Sequence, residues 1–212
     1  GACGQCKAEL ISGEFEMGDH IDKAISAEEK AQGKVLLCCT TAKSDLKINV
    51  PGFNPNALQV RTLPVRIETI EIKHDVALLR LALPKAPSFA FYAGQYIDLL
   101  LPGNISRSYS IANSPDQEGV LELHIRKREN GVCSEMIFGA EPKIKEKGIV
   151  RVKGPLGTFT LQQDSDKPIV LLATGTGYAP IRSILLDLIH QNSERQVHFY
   201  WGARQQEDLY AL

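Results

Sequence analysis

The chain has 212 residues, room for one large domain or two small ones. Its 24 Lys and Arg against 25 Asp and Glu leave a net charge of −1, with no cationic excess for nucleic acid or a membrane surface. Apolar residues at 43% suffice for a packed core, but no apolar run approaches the roughly 20 residues of a spanning helix. There is no signal-peptide pattern at the start.

Residues 1–52 are polar and hold four of the five cysteines: Cys3, Cys6, Cys38 and Cys39. An odd total with one Cys-x-x-Cys pair is a poor disulfide framework. It suits a reducing, cytoplasmic setting with metal or iron–sulfur ligation. A four-cysteine zinc site would need both Cys38 and Cys39, whose side chains point apart on an extended chain. A thioredoxin-like redox pair would need a βαβ context that this segment lacks.

Residues 51–64 hold three prolines, a glycine and two asparagines, and 53–64 reads as a linker. Residues 65–163 then carry short alternating or apolar runs at Val65–Ile72, Ala77–Leu83, Tyr96–Leu101, Arg107–Ile111, Val120–Ile125, Ile149–Val152 and Thr158–Leu161. Evenly spaced strands of this kind predict an antiparallel barrel or sandwich. A short helix is predicted over Cys133–Gly139. In the third region, 164–212, a continuous apolar run at 168–173 meets a glycine turn. Apolar residues at helical spacing (Ile181, Ile184, Leu185, Leu188, Ile189) follow, then a strand at Val197–Trp201. Strand–helix–strand of this length predicts a parallel βαβ unit.

Two segments invite chemistry. The turn Thr174-Gly175-Thr176-Gly177, with Pro180 in the following first helical turn, can present unpaired backbone N–H groups to a phosphate. It lacks the third glycine of the dinucleotide fingerprint and also fits an ordinary βα turn. In Arg107-Ser108-Tyr109-Ser110, an arginine fork suits a pyrophosphate and an alternate-position tyrosine offers a flat ring on the same face. Alone, that tetrapeptide fits a plain surface strand better.

The order of segments resembles the ferredoxin–NADP⁺ reductase superfamily. Arg107–Ser110 matches its Arg-x-Tyr-Ser flavin motif, and Gly131-Val132-Cys133-Ser134 its second flavin segment. Gly154-Pro-Leu-Gly-Thr-Phe159 resembles its barrel-closing segment, Thr174–Pro180 its pyridine-nucleotide loop, and Tyr200–Arg204 its adenosine-side strand end. The cysteine segment resembles a plant-type [2Fe–2S] domain, with Cys3, Cys6 and Cys38 as ligands, Cys39 as a bystander, and the first ligand falling before Gly1.

The resemblance implies a mixed fold: a partial β-grasp ferredoxin-like segment, an antiparallel six-stranded β-barrel flavin domain, and the start of an α/β parallel-sheet nucleotide domain. It implies that Arg107 binds flavin pyrophosphate and that Ser108 accompanies it. Tyr109 and Ser110 are the residues nearest the chemistry. His124, Ile125 and Arg126 would lie along the ribityl or adenine side, and Val132, Cys133 and Ser134 would meet the pyrophosphate. Thr174, Gly175, Thr176, Gly177, Pro180, Gly202 and Arg204 would bind the nicotinamide dinucleotide, with the nicotinamide-site residues beyond Leu212. The implied cofactors are FAD, NADH in preference to NADPH, and a 2Fe–2S cluster. The implied function is electron transfer from NAD(P)H to a partner protein, as in oxygenase reductases and CDP-6-deoxy-Δ3,4-glucoseen reductases. A flavin-containing electron-carrier subunit without nicotinamide chemistry is the alternative. Neither nucleic acid nor a membrane is an expected partner.

Overall fold

The computed structural model describes residues 2–4, 6–50, 58–162 and 165–211, and the chain separates into two compact units, 1–57 and 58–212. Linker residues 53–57 lie outside the described residues.

The first unit opens with β1 (Lys7–Ser12) and β2 (Phe15–Met17). Helix α1 (Ala27–Ala31) begins at Ser26, whose hydroxyl accepts from the Glu29 N–H while the Glu29 carboxylate accepts from the Ser26 N–H. This reciprocal cap satisfies two end donors that so short a helix could not otherwise pair. The strands β3 (Lys34–Leu36), β4 (Thr40–Ala42) and β5 (Lys47–Asn49) follow. β1 lies between β3 and β5 in one antiparallel sheet, and β2 pairs with β4 in another. Ala24, Ile25 and Leu36 form the small core, with Cys6, Met17 and Cys39 packed against it.

The second unit begins with β6 (Arg61–Lys73) and β7 (Val76–Ala82), then β8 (Tyr96–Leu101), β9 (Ile105–Ser110) and β10 (Val120–Arg126). Helix α2 (Val132–Phe138) and strand β11 (Ile149–Leu156) complete a curled six-stranded antiparallel half-barrel of order β10-β7-β6-β11-β8-β9. A single bridge, Ile111 to Leu123, joins the chain just after β9 to β10. Alternation places Val65, Ile67, Leu79, Leu81, Ile97 and Leu99 inside. Each such side chain contributes roughly 1.5–3 kcal/mol by leaving water.

Two expectations need correction. Residues 61–64, assigned to the linker, open β6. Pro64 is tolerated because that stretch pairs with β11 alone, and pairing to β7 starts at Arg66. Thr158–Leu161 is not a strand: Gly157 turns the chain at φ 89°, and Phe159 is left 59% exposed without a partner strand.

Strand β12 (Ile169–Thr174), helix α3 (Tyr178–His190) and β13 (Val197–Gly202) form the expected parallel unit, Ile169 beside Val197 through Thr174 beside Gly202. One face of β12 is covered, and Ile169, Leu171 and Ala173 pack with Ile181, Ile184 and Leu188 of α3. Among the described residues, no helix is long and apolar enough to cross a membrane.

Candidate functional site

Strand β9 positions the Arg-x-Tyr-Ser residues by its pairing with β8, which sets Tyr109 opposite Ile97 and Ser110 opposite Tyr96. Arg107 is exposed, and its Nη1 donates to the Ser106 carbonyl at 2.8 Å. Ser108 donates to Asp98 at 2.6 Å, so its hydroxyl serves the sheet. Tyr109 is half-buried against the core. Burial, then a hydrogen bond with the Cys133 thiol, pushes its phenol above the ordinary range. Burial also raises the Cys133 thiol, while Tyr109 and the Arg107 charge act the other way. The strand motif and the start of α2 are therefore brought together.

Gly131 is the N-cap of α2, and the Ser134 hydroxyl accepts from the Arg128 N–H at 2.7 Å, tightening the entry turn. Gly157 approaches Tyr96, the residue paired with Ser110. A side chain there would meet the Tyr96 ring at 2.8 Å, and Gln95 donates to the Gly157 carbonyl at 3.0 Å. The exposed guanidinium of Arg107 beside a helix start and a half-buried ring has the donor chemistry that a flavin pyrophosphate needs.

The second cradle lies at the carboxyl ends of β12 and β13, where parallel sheets place ligands. Residues 175–177 form one tight helical turn leading into α3, with Gly175 at φ 50° and Pro180 in the first helical turn. A Cβ on Gly177 would meet nothing within 4 Å, and the first turn of α3 carries no acidic residue. Open space before a positive helix end suits a phosphate. The Trp201 indole donates to the Gly175 carbonyl at 3.1 Å and fixes the turn to β13. A cleft of about 450 Å³ is lined by Arg126, Thr174, Gly175, Gly202, Ala203, Arg204 and Asp208. Thr174, Gly175, Gly202 and Arg204 of the expected set thus share one cleft.

Arg126, expected along the ribityl or adenine side of the flavin, also lines this cleft. It ends β10 and reaches the glycine turn, with Asp208 at 3.1 Å and Asp75 at 3.4 Å. These ion pairs lack hydrogen-bond geometry, so Nε and Nη2 are buried without a hydrogen-bond partner among the described residues. The Nη1 and Cζ of Arg126 are the guanidinium atoms nearest the glycine turn, 3.8 Å and 3.9 Å from where a Cβ on Gly175 would stand. His124, expected on the same side, is held inside the protein. It is 5% exposed, with Nε2 on Glu122 at 2.9 Å and Nδ1 on the Tyr210 hydroxyl at 2.8 Å. Both its ring nitrogens are used inside the protein. Ile125 is core. The alternation of β10 fails to expose these residues because Leu123, His124 and Ile125 are all buried.

The thiols are arranged differently from a ready-made site. Cys38 and Cys39 lie in a tight helical turn, Leu37–Cys39, rather than on extended chain. Cys38 is exposed, while Cys39 lies against the core with its thiol toward the Leu36 carbonyl. The Leu37 N–H donates to the Cys6 carbonyl at 3.0 Å, which brings Cys6 beside that turn. Cys3, Cys6 and Cys38 have the right donor chemistry, but among the described residues no three ligating side chains gather closely enough to hold a metal.

Sequence patterns missed Asn113, Glu122, Arg182, Ser183 and Tyr210. The sequence signal of α3 is the spacing of its apolar positions, and Arg182, directly after Ile181, carries no signal of its own.

Three family models match: an oxidoreductase FAD-binding domain over residues 64–161, an oxidoreductase NAD-binding domain over 171–212, and a 2Fe–2S iron–sulfur cluster binding domain over 1–43. A CDP-6-deoxy-L-threo-D-glycero-4-hexulose-3-dehydrase reductase of Yersinia pestis is 44% identical across 100% of this chain and 63% of its own length. Reductase component 1 of a Comamonas terephthalate 1,2-dioxygenase is 35% identical across 99% of this chain and 61% of its own. The crystal structure of an Amycolatopsis cytochrome P450 reductase superposes with a TM-score of 0.76 at 34% identity, covering 99% of this chain and 64% of that one. The chain thus spans somewhat under two thirds of the relatives it matches.

Proposed function

We propose a function from one premise: the chain belongs to the ferredoxin–NADP⁺ reductase superfamily. The function is that of a flavoprotein reductase. It oxidises NAD(P)H by hydride transfer to FAD and passes single electrons through a 2Fe–2S cluster to an electron-accepting protein in the cytoplasm. The reductase names of the relatives support an oxygenase or a deoxysugar dehydratase as that partner.

Residues 1–52 are read as part of a β-grasp iron–sulfur domain, 65–163 as the flavin barrel with its first strand reaching back to Arg61, and 164–212 as nucleotide-binding. The cluster is assigned to the first unit by family match and thiol chemistry, and no step is derived through it. Bound FAD supplies the hydride acceptor and the change from two-electron to one-electron transfer. The chain's own residues bind and orient. Arg107 and the backbone of Val132, Cys133 and Ser134 hold the flavin pyrophosphate. Tyr109 flanks the ring system, and Ser110 offers a hydroxyl near its reacting edge. The turn Gly175–Gly177 and the first turn of α3 receive the dinucleotide pyrophosphate. Arg126 supplies guanidinium charge there, with its Nη1 nearest the turn, and Arg204 adds charge. Glu207 and Asp208 beside Arg204 favour NADH over a 2′-phosphorylated nucleotide.

The observation that carries the reading is the presence of two anion cradles in one unit, Arg107 with Tyr109 and Cys133, and Gly175 with Arg126. The test is the visible spectrum of the full-length protein before and after anaerobic NADH. Flavin and iron–sulfur bands that bleach support it, and a colourless protein refutes it. Flavin that ignores both NADH and NADPH favours the carrier-subunit alternative.

A further inference from the structure

The start of α3 is joined to the flavin sheet by directional polar bonds. Arg182 Nη1 donates to the Ala112 carbonyl at 2.8 Å and lies 3.2 Å from Glu122 Oε1. The Ser183 hydroxyl donates to the Asn113 carbonyl at 2.6 Å, and both Ser183 and Asn113 are fully buried.

The segment being gripped is itself rigid. Asn113 Nδ2 donates to the Val120 carbonyl at 3.1 Å, and its Oδ1 accepts from the Glu122 N–H at 2.8 Å. The Ala112 N–H donates to the Glu122 carbonyl at 2.8 Å, and Ile111 N–H to the Gln95 carbonyl at 3.0 Å. Glu122 continues the chain of bonds to His124 and Tyr210. At the far end of α3, His190 stands 3.5 Å from Asp116 of the same segment.

Ala112 lies two residues beyond Ser110, the end of the flavin strand. Arg182 lies five residues beyond Gly177, or about 7.5 Å along a rigid helix. The clasp therefore links the flavin-binding strand to the dinucleotide turn through two residues of chain on one side and five on the other. Apolar packing alone would hold the two parts together. Buried hydrogen bonds with fixed donors and acceptors also set their register, since slipping would strand polar groups without partners.

We infer that Arg182 and Ser183 are positioning residues for hydride transfer: by clasping Ala112, Asn113 and Glu122 they hold the nucleotide turn at a set distance from the flavin strand. Neither residue is assigned a contact with FAD or with nicotinamide. The inference rests on the reductase reading, because it needs a hydride donor and an acceptor on the two sides of the clasp. Transfer rates are steep in geometry, and a displacement of about 1 Å can cost roughly 10²-fold.

The experiment uses full-length, flavin-loaded protein and anaerobic stopped-flow reduction by NADH and by NADH deuterated at the transferred position. Arg182→Met keeps the length of the side chain and removes the fork. The expected result is a limiting rate of flavin reduction at least about tenfold lower. The NADH dissociation constant stays within about twofold, flavin content is unchanged, and the isotope effect is fully expressed. Arg182→Lys restores part of the rate by regaining one donor. Ser183→Ala lowers the rate a few-fold, and it decides the matter if Arg182→Met does not retain flavin. A purely structural role would lower the melting temperature with the limiting rate unmoved, and that result overturns the inference. A wild-type protein whose flavin is not reduced by either nicotinamide dinucleotide overturns the reductase function, and this inference with it. Wild-type reduction with unaltered rates in Arg182→Met or Ser183→Ala overturns this inference alone.

Discussion

Arg126, carried on the last residue of a flavin-sheet strand, comes within 3.8 Å of where a Cβ on Gly175 would stand. The guanidinium thus crosses from the half-barrel to the nucleotide turn, held between Asp75 and Asp208. Arg126→Ala is expected to weaken NADH binding about tenfold, the scale of one charge-assisted hydrogen bond. Flavin content should stay normal. Anaerobic NADH titration with parallel measurement of bound flavin checks this. Lost flavin with unchanged NADH affinity would place Arg126 on the flavin side instead.

Arg107 makes the opposite prediction. Its fork is exposed at the start of α2, and its charge reaches both Tyr109 and Cys133. Arg107→Ala should lower flavin retention through gel filtration by about tenfold or more in affinity, while the apo-protein keeps its fold by circular dichroism. Full flavin content in that variant would remove Arg107 from the pyrophosphate site.

The half-barrel was legible because β6, β7, β8 and β10 alternate or run apolar between clear turns, and tight pairing makes such patterns readable. The parallel unit was legible because β12 is a continuous apolar run before a glycine turn. The partners of His124 and Arg126 were not legible, for a physical reason. Strand periodicity assigns a face, but β10 is buried on both faces where it meets α3 and Tyr210. The clasp was invisible because its acceptors are backbone carbonyls of Ala112 and Asn113, which any sequence supplies. Thr158–Leu161 shows the reverse error. It alternates like a strand, but the turn at Gly157 leaves it without a neighbour to pair with.

Gly94 sits at φ 96°, a conformation that side chains rarely adopt. A Cβ there would collide with the Phe159 carbonyl and press on Ile184 Cδ1 at 3.2 Å. The Phe159 contact is with backbone, so no side-chain rotation relieves it. Gly94→Ala should therefore destabilise the protein by about 3 kcal/mol or more, combining strain with overpacking. Thermal melts of the full-length variant against wild type measure this. An unchanged melting temperature would mean that the Gly157–Leu161 segment moves away freely.

Glu122 links stability to pH. Burial alone would raise its carboxyl, but the His124 hydrogen bond and the Arg182 charge outweigh burial, with smaller help from the charges of His124 and Arg80. The net result lies below the ordinary 4.5. A carboxyl lowered on folding stabilises the protein above its unfolded value, and that contribution disappears as pH falls through the folded value. Acidification below about 4.5 should therefore loosen the joint between β10 and α3. Glu122→Gln removes the ionisation while keeping the shape. Its melting temperature should lie below wild type at pH 7, and the two should converge as the pH drops below that value. Parallel curves, with a constant gap down to the acid limit, would show that Glu122 contributes packing rather than charge.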